Sequence, residues 1–148
     1  MSDLAIVNLR PQDLSRLEAL LLDNQLPADD CRAQASIFCA LYAGDELIAA
    51  GGLEAAGEYA LLRSIVVRQG YRGRGFAQAL SEHLLRCAED EGRAAVYLLT
   101  ETAAEYFSRL GFTSVERAVV PPAIARTRQF SSLCPDSAHC MCLTLPRA

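Results

Sequence analysis

The sequence predicts one α/β domain with a central sheet of mixed, mostly antiparallel direction, flanked by helices. Three observations carry that expectation. Apolar runs of strand length recur along the chain, three of them in succession between Ile37 and Arg68 and separated by short glycine-containing turns. The third passes through a glycine-rich turn into a long amphipathic helix, the stretch Leu61 to Glu91. Another apolar run, Ala95 to Leu99, follows and lies parallel to the previous strand if the helix is a crossover.

The elements follow in order. Leu4 to Arg10 alternates as a first apolar strand, and Pro11 suits the first position of a helix continued by Leu14, Leu17, Leu20 and Leu21. Pro27 to Asp30 is a break that caps a short helix through Gln34. Ile37 to Tyr42 and Leu47 to Leu53 form a hairpin about Gly44-Asp45. Gly57-Glu58 turns into the long strand Tyr59 to Arg68. After the central helix, Gly92 is a natural stop. Thr100 to Thr102 caps a helix through Leu110, Phe112 to Val115 starts a strand, Ala123 to Phe130 makes a short helix, and His139 to Leu145 is the last strand.

Length and composition narrow the class. The 148 residues read as a single domain, 1–148, long enough to bury a core. A net charge of −4 argues against a nucleic-acid binder, which would carry a basic face. The arginines are nevertheless concentrated: Arg63, Arg68, Arg72 and Arg74 fall close together, and Arg117, Arg126 and Arg128 form a second group. That distribution suits a small anionic ligand. No secretory leader and no membrane span is legible, so a cytoplasmic protein with reduced cysteines is expected.

The turn at Gly70, Gly73 and Gly75 carries the clearest chemistry. A helix that begins after glycines presents unpaired N–H groups at the positive end of its dipole, and a backbone without Cβ atoms lets an anion approach. Arg72 and Arg74 add charge that no backbone geometry requires. A pyrophosphate fits. A Walker loop, GxxxxGKS/T, is excluded because no Lys-Ser or Lys-Thr follows Gly75, and a dinucleotide GxGxxG lacks its third glycine.

What remains, Arg72-Gly73-Arg74-Gly75-Phe76-Ala77, resembles the R/Q-x-x-G-x-G/A signature of the GNAT family of N-acetyltransferases. The strand before it, the helix after it, the element order and the triplet Leu110-Gly111-Phe112 are similar to that family over nearly the whole chain. The resemblance implies a fold with a splayed parallel strand pair and acetyl-CoA as cosubstrate, with no metal. It implies that Ile65, Val66 and Val67 hold the acyl-pantetheine arm, and that Arg72, Gly73, Arg74, Gly75, Phe76 and Ala77 hold the pyrophosphate. Homodimers are frequent in that family, although no residue pattern here points to an interface.

The same resemblance places a general-acid tyrosine three residues before the Leu-Gly-Phe triplet. That position is Phe107, which leaves Phe107 beside the cofactor and Tyr106, one residue earlier, as either a substitute acid or a core or cofactor-packing residue. Adjacent helix positions point about 100° apart, so the exchange is not automatic. Glu54, at the end of an apolar strand beside Gly51-Gly52, is the candidate base, with an exposed strand-end glutamate as the plainer alternative.

Arg63, next to Ser64, interrupts an apolar run, where a buried guanidinium needs an anionic partner. An acceptor carboxylate is one such partner and Glu54 the other. Arg63 and Ser64, with Arg117 and Arg126, are therefore the candidate acceptor-binding residues. The C-terminal stretch, with LLRSIVV and YLLTETA, is similar to the branch of the family associated with arsenic-resistance gene clusters. It implies a small amino-acid-like amine acceptor, such as a glutamate analogue bearing an arsenic or phosphorus acid. A non-catalytic acetyl-CoA or thiophile sensor on the same fold is the alternative. For it, Cys134, Cys140 and Cys142 would have to converge.

Overall fold

A computed structural model describes residues 5–26, 28, 36–134 and 137–147. Strand β1 (Val7–Asn8) is followed by a 3-10 turn and helix α1 (Leu14–Asp23). Three strands come next, β2 (Ser36–Ala43), β3 (Glu46–Ala56) and β4 (Tyr59–Val67), and then helix α2 (Phe76–Asp90). The remainder is β5 (Ala95–Thr100), α3 (Ala104–Arg109), β6 (Thr113–Ser114), α4 (Pro122–Ala125), a π-turn at Gln129–Leu133, and β7 (His139–Thr144).

The strands form one sheet in the order β1-β2-β3-β4-β5-β7-β6. Every neighbouring pair is antiparallel except β4 and β5. The parallel ladder is short: it runs from Tyr59 opposite Ala95 to Leu61 opposite Tyr97, whereas the strands continue to Val67 and Thr100. Beyond that point they diverge.

A bulge accompanies the divergence. Ala50 pairs with Val66 and Gly52 with Arg63, so Gly51 alone opposes Ser64 and Ile65, and Ser64 takes φ 59°. The extra residue bends β4 away from β5 and re-aims its side chains. Gly52 is required here, because a Cβ would lie 2.6 Å from the Phe38 ring that packs beneath Arg63.

Both faces of the sheet are covered. On one, Leu80, Leu84, Leu85 and Ala88 of α2 and Phe107 of α3 pack on Leu53, Ala60, Leu62, Val96, Leu98 and Met141. The three α2 leucines are fully buried, worth about 1.5–3 kcal/mol each, which fixes α2 against the sheet below the cleft. On the other face α1 places Leu17, Leu20 and Leu21 over Ala40, Leu47, Ala50 and Val66. Ile124 and Phe130 cover Leu61 and Cys140.

The structure differs from expectation in two places. β1 spans only two residues, both exposed, because it is an edge strand paired with β2 alone. The helix expected from Ala123 to Phe130 is broken after Ala125: the Thr127 hydroxyl donates to Ile124 O (2.7 Å) and accepts from Phe130 N (3.4 Å), competing with the helical pattern. The helix expected through Gln34 lies outside the described residues.

Candidate active site

The diverging strands enclose a cleft of ≈ 960 Å³, closed below by the glycine turn and the start of α2. β4 contributes Leu62 to Val67, including every one of Ile65, Val66 and Val67, and the opposite wall comes from Leu98 to Ala103. Because no ladder joins the strands past Leu61, alternate backbone groups of β4 are open towards the cleft.

The turn has the geometry of an anion cradle. Gly70, Gly73 and Gly75 take φ values of 98°, 79° and 83°. Gly75 is the N-cap of α2 with no side-chain cap, so the N–H groups at the start of the helix keep their donors for a ligand. A Cβ at Gly75 would meet no protein atom within 4 Å and would project into open space instead. Gly73, Gly75, Phe76 and Ala77 all line the cleft. These residues fit a pyrophosphate.

The two arginines of the turn part ways. Arg72 lines the cleft, donating from Nε to Val67 O (3.2 Å) and from Nη2 to Asn24 Oδ1. Arg74 folds back, with Nη2 on Gly70 O (3.2 Å) and its guanidinium 5.1 Å from the Tyr71 ring, and is not a lining residue.

On the acceptor side, Arg63 and Ser64 both line the cleft. The Arg63 side chain is fully buried, and its Nη1 donates to Glu54 Oε1 at 3.1 Å. Its Nε donates to Ser64 Oγ (3.3 Å), and its guanidinium sits 5.6 Å from the Phe38 ring. Glu54 is thus the anionic partner the apolar run demanded. Its carboxylate turns to Arg63, and it is not among the lining residues.

Tyr106 and Phe107 line the opposite wall, with ring centroids 5.1 Å apart in an edge arrangement. The Tyr106 hydroxyl is buried and set towards Ser81 on α2. Burial pushes its pKa up, Ser81 opposing.

Arg117 and Arg126 are not brought to the cleft. Arg117 fastens the C-terminal segment, its Nη2 donating to Phe130 O (2.7 Å) and Cys134 O (3.3 Å), and Arg126 is exposed after α4. The cysteines do not converge either. Among the described residues no group of three or more His, Cys, Asp or Glu could hold a metal ion. Cys134 lines the cleft and bonds Gln129 Oε1 (3.2 Å), whereas burial pushes the Cys140 thiol up to about 11.

Several lining residues were not legible: Leu22, Asn24 and Gln25 at the end of α1, and Gln129 in the π-turn. Nothing local marks them, since their place depends on how α1 and the C-terminal segment pack. The Ser64 bulge had a signal, a polar residue within an apolar run, opposite Gly51.

Residues 34–114, more than half of the chain, match the family model for the acetyltransferase (GNAT) domain. The chain belongs to that family, and it is by class an acetyl-CoA-dependent acyltransferase. Solved structures share the fold. An acetyltransferase of the GNAT family from Staphylococcus aureus Mu50 has a TM-score of 0.80 at 17% identity, covering 97% of this chain and 100% of that one. Rv2747 from Mycobacterium tuberculosis, in complex with CoA, has a TM-score of 0.78 at 21% identity over 96% and 99%. N-acetylglutamate synthase from Neisseria gonorrhoeae, complexed with coenzyme A and N-acetyl-glutamate, gives 0.81 at 16% over 99% of this chain and 36% of that one. At such identities the likeness is one of fold. No helix among the described residues is long and apolar enough to cross a membrane.

Proposed function

We propose that the protein transfers the acetyl group of acetyl-CoA directly to the amine of a small, anionic, amino-acid-like acceptor in a ternary complex. The observation that carries this reading is Arg63, a fully buried cation in the wall of the cleft, on the strand that faces the acyl arm. A guanidinium there attracts the acid group of an acceptor. Glutamate and its analogues bearing an arsenic or phosphorus acid belong to that class.

The open backbone of Ile65, Val66 and Val67 holds the pantetheine arm as an added strand, and the α2 N-terminus with Arg72 holds the pyrophosphate. Glu54 supports the reaction by fixing Arg63. The neutral amine attacks the thioester carbonyl, the C–S bond breaks, the sulfur leaves as thiolate and the amine proton passes to water. No protein acid is needed at the sulfur, since a thiol of pKa about 8.5 leaves far more readily than an amine.

The test is CoA-thiol release from acetyl-CoA with a panel of free amino acids, arsenic- and phosphorus-bearing glutamate analogues, polyamines and short peptides. Selective turnover of anionic amino acids supports the reading. Turnover confined to polyamines or peptides would overturn it.

A further inference from the structure

We propose that Asn24, at the end of α1, is a positioning residue for the cofactor: it holds the Arg72 guanidinium in the cleft in a charged, preset orientation for the pyrophosphate. The proposal rests on the assignment of Arg72 to the pyrophosphate made above.

The contact joins residues far apart in sequence. Asn24 is the C-cap of α1, and its Nδ2 donates to Leu20 O at 2.8 Å, satisfying one of the carbonyls a helix end leaves open. Three backbone bonds hold the same corner: Asn24 N to Leu21 O (3.0 Å), Gln25 N to Leu22 O (3.0 Å) and Leu26 N to Leu21 O (2.9 Å). With the amide nitrogen committed to the helix, Oδ1 is the atom presented to Arg72, which donates to it from Nη2. Nε of Arg72 is held by Val67 O (3.2 Å), so the planar fork is fixed at two points. Both residues line the cleft.

The chemistry of the holder matters as much as its place. Arg63, Arg68, Arg93 and Arg147 each pair with a glutamate. Arg72 is held by two neutral oxygens and has no carboxylate partner among the described residues, so its full charge remains for an anion. An amide can orient a guanidinium without neutralising it; a carboxylate at the same position would do both. Arg74, folded onto Gly70 and Tyr71, does not share the task.

The consequence is a cofactor-specific effect from a residue outside the glycine turn. An arginine fixed before binding spares the ligand the entropy of freezing it, so releasing it should weaken acetyl-CoA binding roughly 3- to 10-fold. Acetyl-pantetheine, which carries the same thioester and arm but no pyrophosphate, should be indifferent.

The experiment is calorimetric titration of acetyl-CoA and acetyl-pantetheine into Asn24→Ala, Asn24→Asp, Arg72→Ala and the Asn24→Ala/Arg72→Ala double variant, with melting temperatures recorded for each. We expect Asn24→Ala to weaken acetyl-CoA alone, Asn24→Asp to weaken it further by neutralising Arg72, and the double variant to bind no worse than Arg72→Ala. A loss of equal size for both ligands, or additive losses in the double variant, would overturn the proposal and leave Asn24 a helix cap. If Arg72→Ala leaves acetyl-CoA binding unchanged, the pyrophosphate assignment itself fails, and the role of Asn24 falls with it.

Discussion

Arg63 and Glu54 form an ion pair at 3.1 Å in which the two partners are unequally buried, the arginine side chain completely and the glutamate to 13% exposure. Removing one member of such a pair strands the other. Glu54→Ala leaves a buried guanidinium without its carboxylate, whereas Arg63→Ala leaves a carboxylate that is more readily hydrated. Glu54→Ala should therefore cost about 3 kcal/mol or more of stability and Arg63→Ala distinctly less. Urea unfolding of the two variants measures the difference, and the reverse order would contradict the burial asymmetry.

The anion cradle depends on Gly75. Glu at this position adds a negative charge beside the helix N-terminus and a side chain in the left-handed region, at φ 83°. Gly75→Glu should lose measurable acetyl-CoA binding while strain of about 1–2 kcal/mol leaves the protein folded. Calorimetry and circular dichroism on one sample check both parts.

Tyr106→Phe separates the wall from the acid. The hydroxyl is buried beside Ser81, so deleting it removes a desolvated group along with that contact and should change stability by less than about 1 kcal/mol. Turnover should stay within about threefold, because no proton transfer of the size general-acid catalysis provides is lost. A fall of a hundredfold in kcat would put the hydroxyl back at the sulfur.

Alkaline stability reports the buried thiols. Burial raises Cys39 from its ordinary 9.0 to about 11, the neighbouring Cys87 adding to the effect. The folded state keeps the proton that the unfolded state gives up. The stabilisation is therefore complete below pH 9 and disappears as pH climbs towards 11. Over that range Cys39→Ala should show a shallower loss of stability than the wild type, by up to ~2 kcal/mol, whatever its starting stability.

How much of this was written in local sequence differs by element. The cofactor side was legible because its chemistry is backbone chemistry: three glycines and a helix start declare an anion cradle within six residues, and Gly75 is where the pattern put it. The bend that opens the cleft was only half visible, since Ser64 and Gly51 lie on different strands and show their two-against-one register only when paired. The acceptor side was least legible. Arg63 announced itself as a charge in an apolar run, but whether Arg117 reached the same space depended on the C-terminal segment, where it is held by Phe130 and Cys134 carbonyls instead. Tyr106 is a related case: helical position fixes where Cα lies, and the packing of α3 on α2 decides where the hydroxyl goes.

If Arg63 reads the acid of the acceptor, one comparison shows it most directly. The measurement is kcat/KM for an anionic amino acid that turns over and for its neutral amide analogue, in wild type and in Arg63→Ala, at saturating acetyl-CoA. The wild type should prefer the acid by about 100-fold, the scale of truncating one partner of a buried charged hydrogen bond, and Arg63→Ala should lose that preference with the KM for acetyl-CoA unchanged. An undiminished preference in Arg63→Ala would contradict the account and return Arg63 to a purely structural partner of Glu54.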